Sequence, residues 1–147
     1  MKTNATYKII GAVCLTGILS SLFLPFFQTI TDGMQKEPYR FVNQYQTMEG
    51  FLTTYNGFGS LFAIFNTCWS TLLFVLMILF NIRSKPILFL GALFYALSQL
   101  FILLDQLAAP FLLSDPDKLL TGYVTLSFFE TALFACLFQL AKPTKES

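Results

Sequence analysis

The sequence predicts an all-α integral membrane protein, a four-helix bundle connected up-down-up-down. Three observations carry this. Of 147 residues, 55% are hydrophobic and only 12% charged, against about 25% charged in an ordinary soluble domain. The mean hydropathy is +0.64. Four apolar runs, at about 9–27, 57–80, 87–109 and 119–141, are each long enough to cross a bilayer as a helix.

The first run follows a short polar, basic segment, residues 1–8. Only small residues and Pro25 interrupt it. It is longer than a secretory signal core, and no clear small-x-small cleavage site follows. Cys14 is preceded by Gly11-Ala12-Val13, a poor lipoprotein cleavage box. The run is therefore read as an uncleaved helix with Pro25 near its far end.

Residues 28–56 form the one long polar loop. Asp32, Lys36, Glu37, Arg40 and Glu49 alternate there with Tyr39, Phe41, Tyr45, Phe51 and Tyr55. Pro38 suits a first helical turn. Phe41, Tyr45, Met48 and Leu52 then recur at helical spacing. This points to a short amphipathic helix over 38–47, lying on the membrane or capping the bundle, with those four residues as a contact face. The alternative is a mobile loop whose aromatic side chains sit at the interface.

The second run ends at a basic turn, 81–86, and the third ends before Pro110. Asp115-Pro116-Asp117 reads as an N-cap, a first-turn proline and an early acid, so the fourth helix is expected to begin near Pro116. The tail, 142–147, is polar and expected to fray. Lys2, Lys8, Arg83, Lys85, Lys142 and Lys145 fall on one side of the bundle, six against the three of Lys36, Arg40 and Lys118. The positive-inside rule then puts both termini in the cytoplasm of a cell membrane, plasma or bacterial inner.

Depth can be counted from the basic flanks. Lys8 to Ser20 is 12 residues, Ser70 to Arg83 is 13, Lys85 to Ser98 is 13 and Glu130 to Lys142 is 12. At ~1.5 Å per residue each group lies ~18–20 Å from its flanking charge, close to the midplane. The expected polar layer is Glu130 with Gln99, Ser98, Tyr95, Ser70 and Ser20, and Gln99 and Tyr95 are the preferred partners of the carboxyl. Small residues at Ala12-Thr16-Ser20, Ala63-Thr67-Thr71 and Ser127-Thr131-Ala135 are expected to line close helix contacts. Glu130 is the one charged-type residue in its run, and no basic residue lies at its depth in the others. A carboxyl there is costly and must be paired or neutral. It is either a proton-coupling or cation-binding group or a neutral acid tying helices together through Gln99 or Ser70. Asp105, near the outer end of the third run, reads as an edge carboxylate.

The exclusions are broad. The chain has no histidine, so the commonest metal ligand and proton shuttle is missing. No Ser/His/Asp set, Gly-rich phosphate loop or CxxC occurs, so no enzyme, metal or cofactor is expected. Cys14, Cys68 and Cys136 are isolated and read as small apolar fillers. Net charge is +1 with no basic run, which gives nucleic acid no footprint. What remains is a small non-enzymatic membrane protein of accessory, stabilising or immunity type. It would act through the lipid bilayer and its outer loop on a membrane-protein partner or a second copy. The alternative is a small proton- or cation-coupled transporter or channel subunit using Glu130.

Overall fold

The computed structural model describes residues 2–34, 36, 39–80, 84–108 and 118–141. Among these, the chain forms α1 (Lys2–Ser21), β1 (Pro25–Thr31), β2 (Phe41–Gln46), β3 (Phe51–Asn56), α2 (Leu61–Phe74), α3 (Lys85–Ala108), β4 (Lys118–Leu119) and α4 (Thr121–Leu140). A single 3-10 turn, Gly57–Gly59, precedes α2, and a π turn, Val75–Leu79, extends it. The fold is thus mixed, with four helices and an antiparallel sheet ordered β2-β3-β1-β4, and the all-α expectation is corrected. Glu37 with Pro38, Arg83, the Asp115-Pro116-Asp117 cap and the tail 142–147 lie outside the described residues.

The expected amphipathic helix in the first loop is a β-hairpin, β2 to β3. Seven of its twelve strand residues are β-branched or aromatic, types that fit a pleated, half-buried surface. Gly50 carries φ +143, a conformation unsuited to a helix or an L side chain. There the chain reverses: the Thr47 amide and hydroxyl both donate to the Gly50 carbonyl, at 2.7 and 2.9 Å. Thr53, fully buried in β3, links three strands. Its hydroxyl meets Thr31 Oγ1 at 2.9 Å and accepts from Gln44 Nε2 at 2.9 Å.

The predicted contact face is divided by this pleat. Tyr45 pairs with Leu52, whereas Phe41 pairs with Tyr55. Leu52 and Tyr55 are three apart, so the two pairs lie on opposite faces. Met48 projects fully exposed from the hairpin tip.

The first apolar run also divides. α1 ends at Ser21, and the three amides that follow turn to i−3 carbonyls: Leu22 to Leu19, Phe23 to Ser20 and Leu24 to Ser21. Pro25 cannot continue a helix and biases Leu24 to extended backbone, so the run's final residues open β1. A register irregularity between Pro25 and Phe27 re-aims Phe26 into the core, where it is 2% exposed and edge-on to Tyr123 at 5.9 Å. At the other end of the chain, α4 begins at Thr121 rather than near Pro116. Lys118 and Leu119 pair with Gln28 and Phe27, and the Leu120 amide donates to Phe26 O at 2.9 Å.

The sheet therefore sits at the end of the bundle where α1 stops and α2 and α4 start. Contact there is close. The Gly57 amide donates to Leu22 O at 2.9 Å, and a Cβ on Gly122 would stand 2.7 Å from Pro25 O. The core runs down the α1–α4 interface, with Cys14, Ile18 and Leu22 against Leu126, Leu133 and Leu137. The stripe Ala12-Thr16-Ser20 is exposed on α1's other side, which corrects the expected close contact. The segments Leu61–Leu79, Lys85–Leu104 and Thr121–Leu140 are long and apolar enough to cross a membrane, and α1 adds the shorter apolar stretch Ala5–Ser21.

Candidate functional site

α2 supplies the polar floor of the site. Ser60 caps the helix, its hydroxyl accepting from the Ala63 amide at 3.3 Å. Asn66, Thr67 and Ser70 then fall on the buried side, beside Ala63 and Leu73. α4 presents Gly122, Leu126, Glu130, Leu133 and Leu137 as one buried helical face. Glu130 is thus placed by the spacing of its leucine neighbours and is fully buried.

Among the described residues the carboxyl has one partner. Ser70 Oγ donates to Glu130 Oε1 at 3.2 Å, while Oε2 has none. Thr67 Oγ1, three residues before Ser70, is likewise buried and unpartnered, as is the Trp69 indole N–H. Trp69 packs where α3 approaches: a Cβ on Gly91 would stand 2.7 Å from its Nε1.

The preferred partners, Gln99 and Tyr95, are engaged elsewhere. Gln99 Nε2 donates to Ser127 Oγ at 3.2 Å, and its carbonyl accepts from the Tyr123 hydroxyl in a short hydrogen bond. The Tyr95 hydroxyl meets Ser127 O and Thr131 Oγ1, each at 3.0 Å. Ser98 Oγ lies 3.3 Å from Asn66 Oδ1 and 2.7 Å from Tyr95 O. Gln99 and Ser98 therefore bond to residues nearer the sheet than Glu130 and Ser70: Ser127 and Tyr123, three and seven positions before Glu130, and Asn66, four before Ser70. Part of the offset comes from the π turn of α2, which spends more residues per turn between Ser70 and the basic flank than the count assumes. Ser20 is exposed, and its neighbour Ser21 is the buried one, bonded to Ile18 O at 2.6 Å.

Comparison with protein-family models, curated proteins and solved structures returns no match. The site is read from its own chemistry.

That chemistry is a carboxyl, hydroxyls and amides set between α2, α3 and α4, with no Lys or Arg in the surrounding apolar runs. Among the described residues, no three His, Cys, Asp or Glu side chains gather as a metal set. Cys14 and Cys136 meet across the α1–α4 interface, and Cys68 is exposed. Sequence reasoning missed Asn66. As the one asparagine of its apolar run, four residues before Ser70 and so on the same helix face, it was there to be found.

Proposed function

We propose that the chain is a small, non-enzymatic integral protein of the cell membrane that engages a membrane-protein partner through its sheet. The bundle is its anchor, and the Lys/Arg asymmetry puts both termini in the cytoplasm and the sheet outside. The observation that carries this reading is an apolar row across three strands. Ile30 of β1 pairs with Leu52 of β3, which pairs with Tyr45 of β2. Ile30 and Tyr45 are exposed, as are Val42 on the same strand as Tyr45 and Met48 at the hairpin tip. Apolar side chains grouped on a sheet beyond the apolar helices are the kind of surface that partners cover. Among the described strands β2 ends the sheet order, so its outer edge is the one a partner strand could extend.

The test is recovery of the full chain from its native membranes. A stoichiometric membrane-protein partner, lost in Tyr45→Asp while the thermal midpoint holds, would support the reading. Recovery of the chain alone, or a partner retained by Tyr45→Asp and Ile30→Asp, would refute it.

Glu130 favours a second reading, a proton-coupled role inside a transporter or channel assembly. Buried carboxyls with a free oxygen and no cation are functional candidates in membrane helices. Under this reading Glu130→Gln folds normally and loses activity; under the first it keeps activity.

A further inference from the structure

We propose that the sheet end of the bundle carries a binding site for one glycerophospholipid, with an acyl chain in an aromatic pocket and the phosphodiester on Arg40. This rests on the membrane part of the first reading, in which the apolar helices cross a bilayer.

The pocket is built from three separate stretches of chain. Phe23 follows α1, Tyr39 precedes β2, and Asn56 and Phe58 lie where β3 gives way to α2. Among the described residues these four line a cavity of about 390 Å³, a volume within the range of small-molecule sites. Hydrogen bonds within the chain hold its walls. Asn56 Nδ2 donates to Tyr39 O at 2.9 Å, and Asn56 Oδ1 accepts from the Phe58 amide at 3.1 Å. The Asn56 amide donates to Arg40 O at 3.0 Å, and the Gly57 amide to Leu22 O at 2.9 Å. Phe23 and Phe58 meet edge to face, with ring centroids 5.1 Å apart. One asparagine thus ties two of the three rings together, and a site already formed pays less ordering cost on binding.

Three features choose the occupant. The first is the lining, which is three rings and one amide whose oxygen and nitrogen both hold the walls. Hydrocarbon suits such a lining, whereas a polar solute would lose hydrogen bonds to water there. The second is position. Phe23 lies two residues past the end of α1, and Phe58 three before the start of α2. The pocket therefore opens where the apolar helices end, the level at which aromatic side chains meet headgroups. The third is charge. Arg40 is exposed, and its guanidinium lies 5.3 Å from the centroid of the Tyr39 ring that forms one wall. Stacking on a ring does not consume a guanidinium's in-plane donors, whose fork matches phosphate. An apolar chain and an anionic phosphate on one molecule describe a glycerophospholipid. Inorganic phosphate lacks the chain, and diacylglycerol lacks the charge.

The experiment measures lipid retention by native mass spectrometry of the full chain in non-ionic detergent, with phosphatidylglycerol and diacylglycerol of the same acyl chains as probes. The wild type should hold one phosphatidylglycerol, about tenfold or more tighter than diacylglycerol, the worth of a hydrogen bond to a charged group. Arg40→Gln should remove that preference and leave diacylglycerol retention as it was. Phe23→Ala, at an exposed ring, should weaken both lipids by a similar factor, about tenfold. Gln46→Ala, on the far part of the hairpin, should change neither. Equal retention of the two lipids by the wild type, or wild-type retention in both Arg40→Gln and Phe23→Ala, would overturn the site. A chain that keeps no lipid but holds a protein partner through Phe23 would give the pocket to that partner and overturn it as well. Failure of the chain to float with phosphatidylcholine vesicles would instead overturn the membrane reading beneath.

Discussion

Ser70 and Glu130 meet across two helices through one 3.2 Å hydrogen bond, and Ser70 is the only described side chain that bonds the carboxyl. Ser70→Ala should therefore cost more than a surface substitution, about 0.6–2 kcal/mol by the range for polar contacts between membrane helices. Glu130→Gln should cost little, because an amide oxygen still accepts from Ser70. Thermal unfolding in detergent compares the two. An unchanged midpoint for Ser70→Ala would show that the contact contributes nothing.

Gly122 is where α4 touches the strand that follows α1. A Cβ there would lie 2.7 Å from Pro25 O and 3.1 Å from Leu24 O, both backbone atoms that cannot turn aside. Gly122→Ala should destabilise by about 1–3 kcal/mol, as overpacking does. Gly33→Ala, with nothing within 4 Å of its Cβ, is the control and should leave the midpoint alone.

Gly50 makes a separate claim about the hairpin. Its φ of +143 and the 2.8 Å approach of its would-be Cβ to Thr31 O both oppose a side chain. Gly50→Ala should cost about 1–3 kcal/mol of local stability. Hydrogen exchange should accelerate in β2 and β3 and stay unchanged in α4. Unchanged protection throughout the sheet would show that the hairpin does not depend on a positive φ at this turn.

Orientation can be read by labelling. With the native cysteines replaced, Met48→Cys at the hairpin tip should react with an impermeant thiol reagent added to intact cells. Lys2→Cys and Lys145→Cys should not. The opposite pattern would invert the proposed topology.

The helices were legible because long apolar runs and flanking Lys and Arg leave few alternatives. The burial of Glu130 was legible for a related reason: an acid in mid-run has nowhere inexpensive to go but inward. The sheet was hidden by its own irregularities. Register shifts near Phe26 and Val42 break the two-residue alternation that marks a strand, and Phe41, Tyr45, Met48 and Leu52 then mimic a helical period. Ser20 misled because counting from Lys8 fixes a height and says nothing of the angle around the axis. Tyr95 and Gln99 share a helix face, as the spacing indicates, but Ser127, Thr131 and Tyr123 capture their polar atoms. Such competition for partners is set by tertiary placement.

The pairing of Lys118–Leu119 with β1 also has a consequence for the order of assembly. β1 emerges from synthesis about 90 residues before the strand that completes it, a span read from Gln28 to Lys118. Until then the edge of β1 that faces away from β3 is bare, and bare edges recruit other chains. Contacts this distant in sequence also form slowly. α4 thus arrives as the latch of a ring that begins at α1. A nascent chain halted after α3 should expose that edge and be the species most prone to strand-mediated misassembly and to chaperone capture.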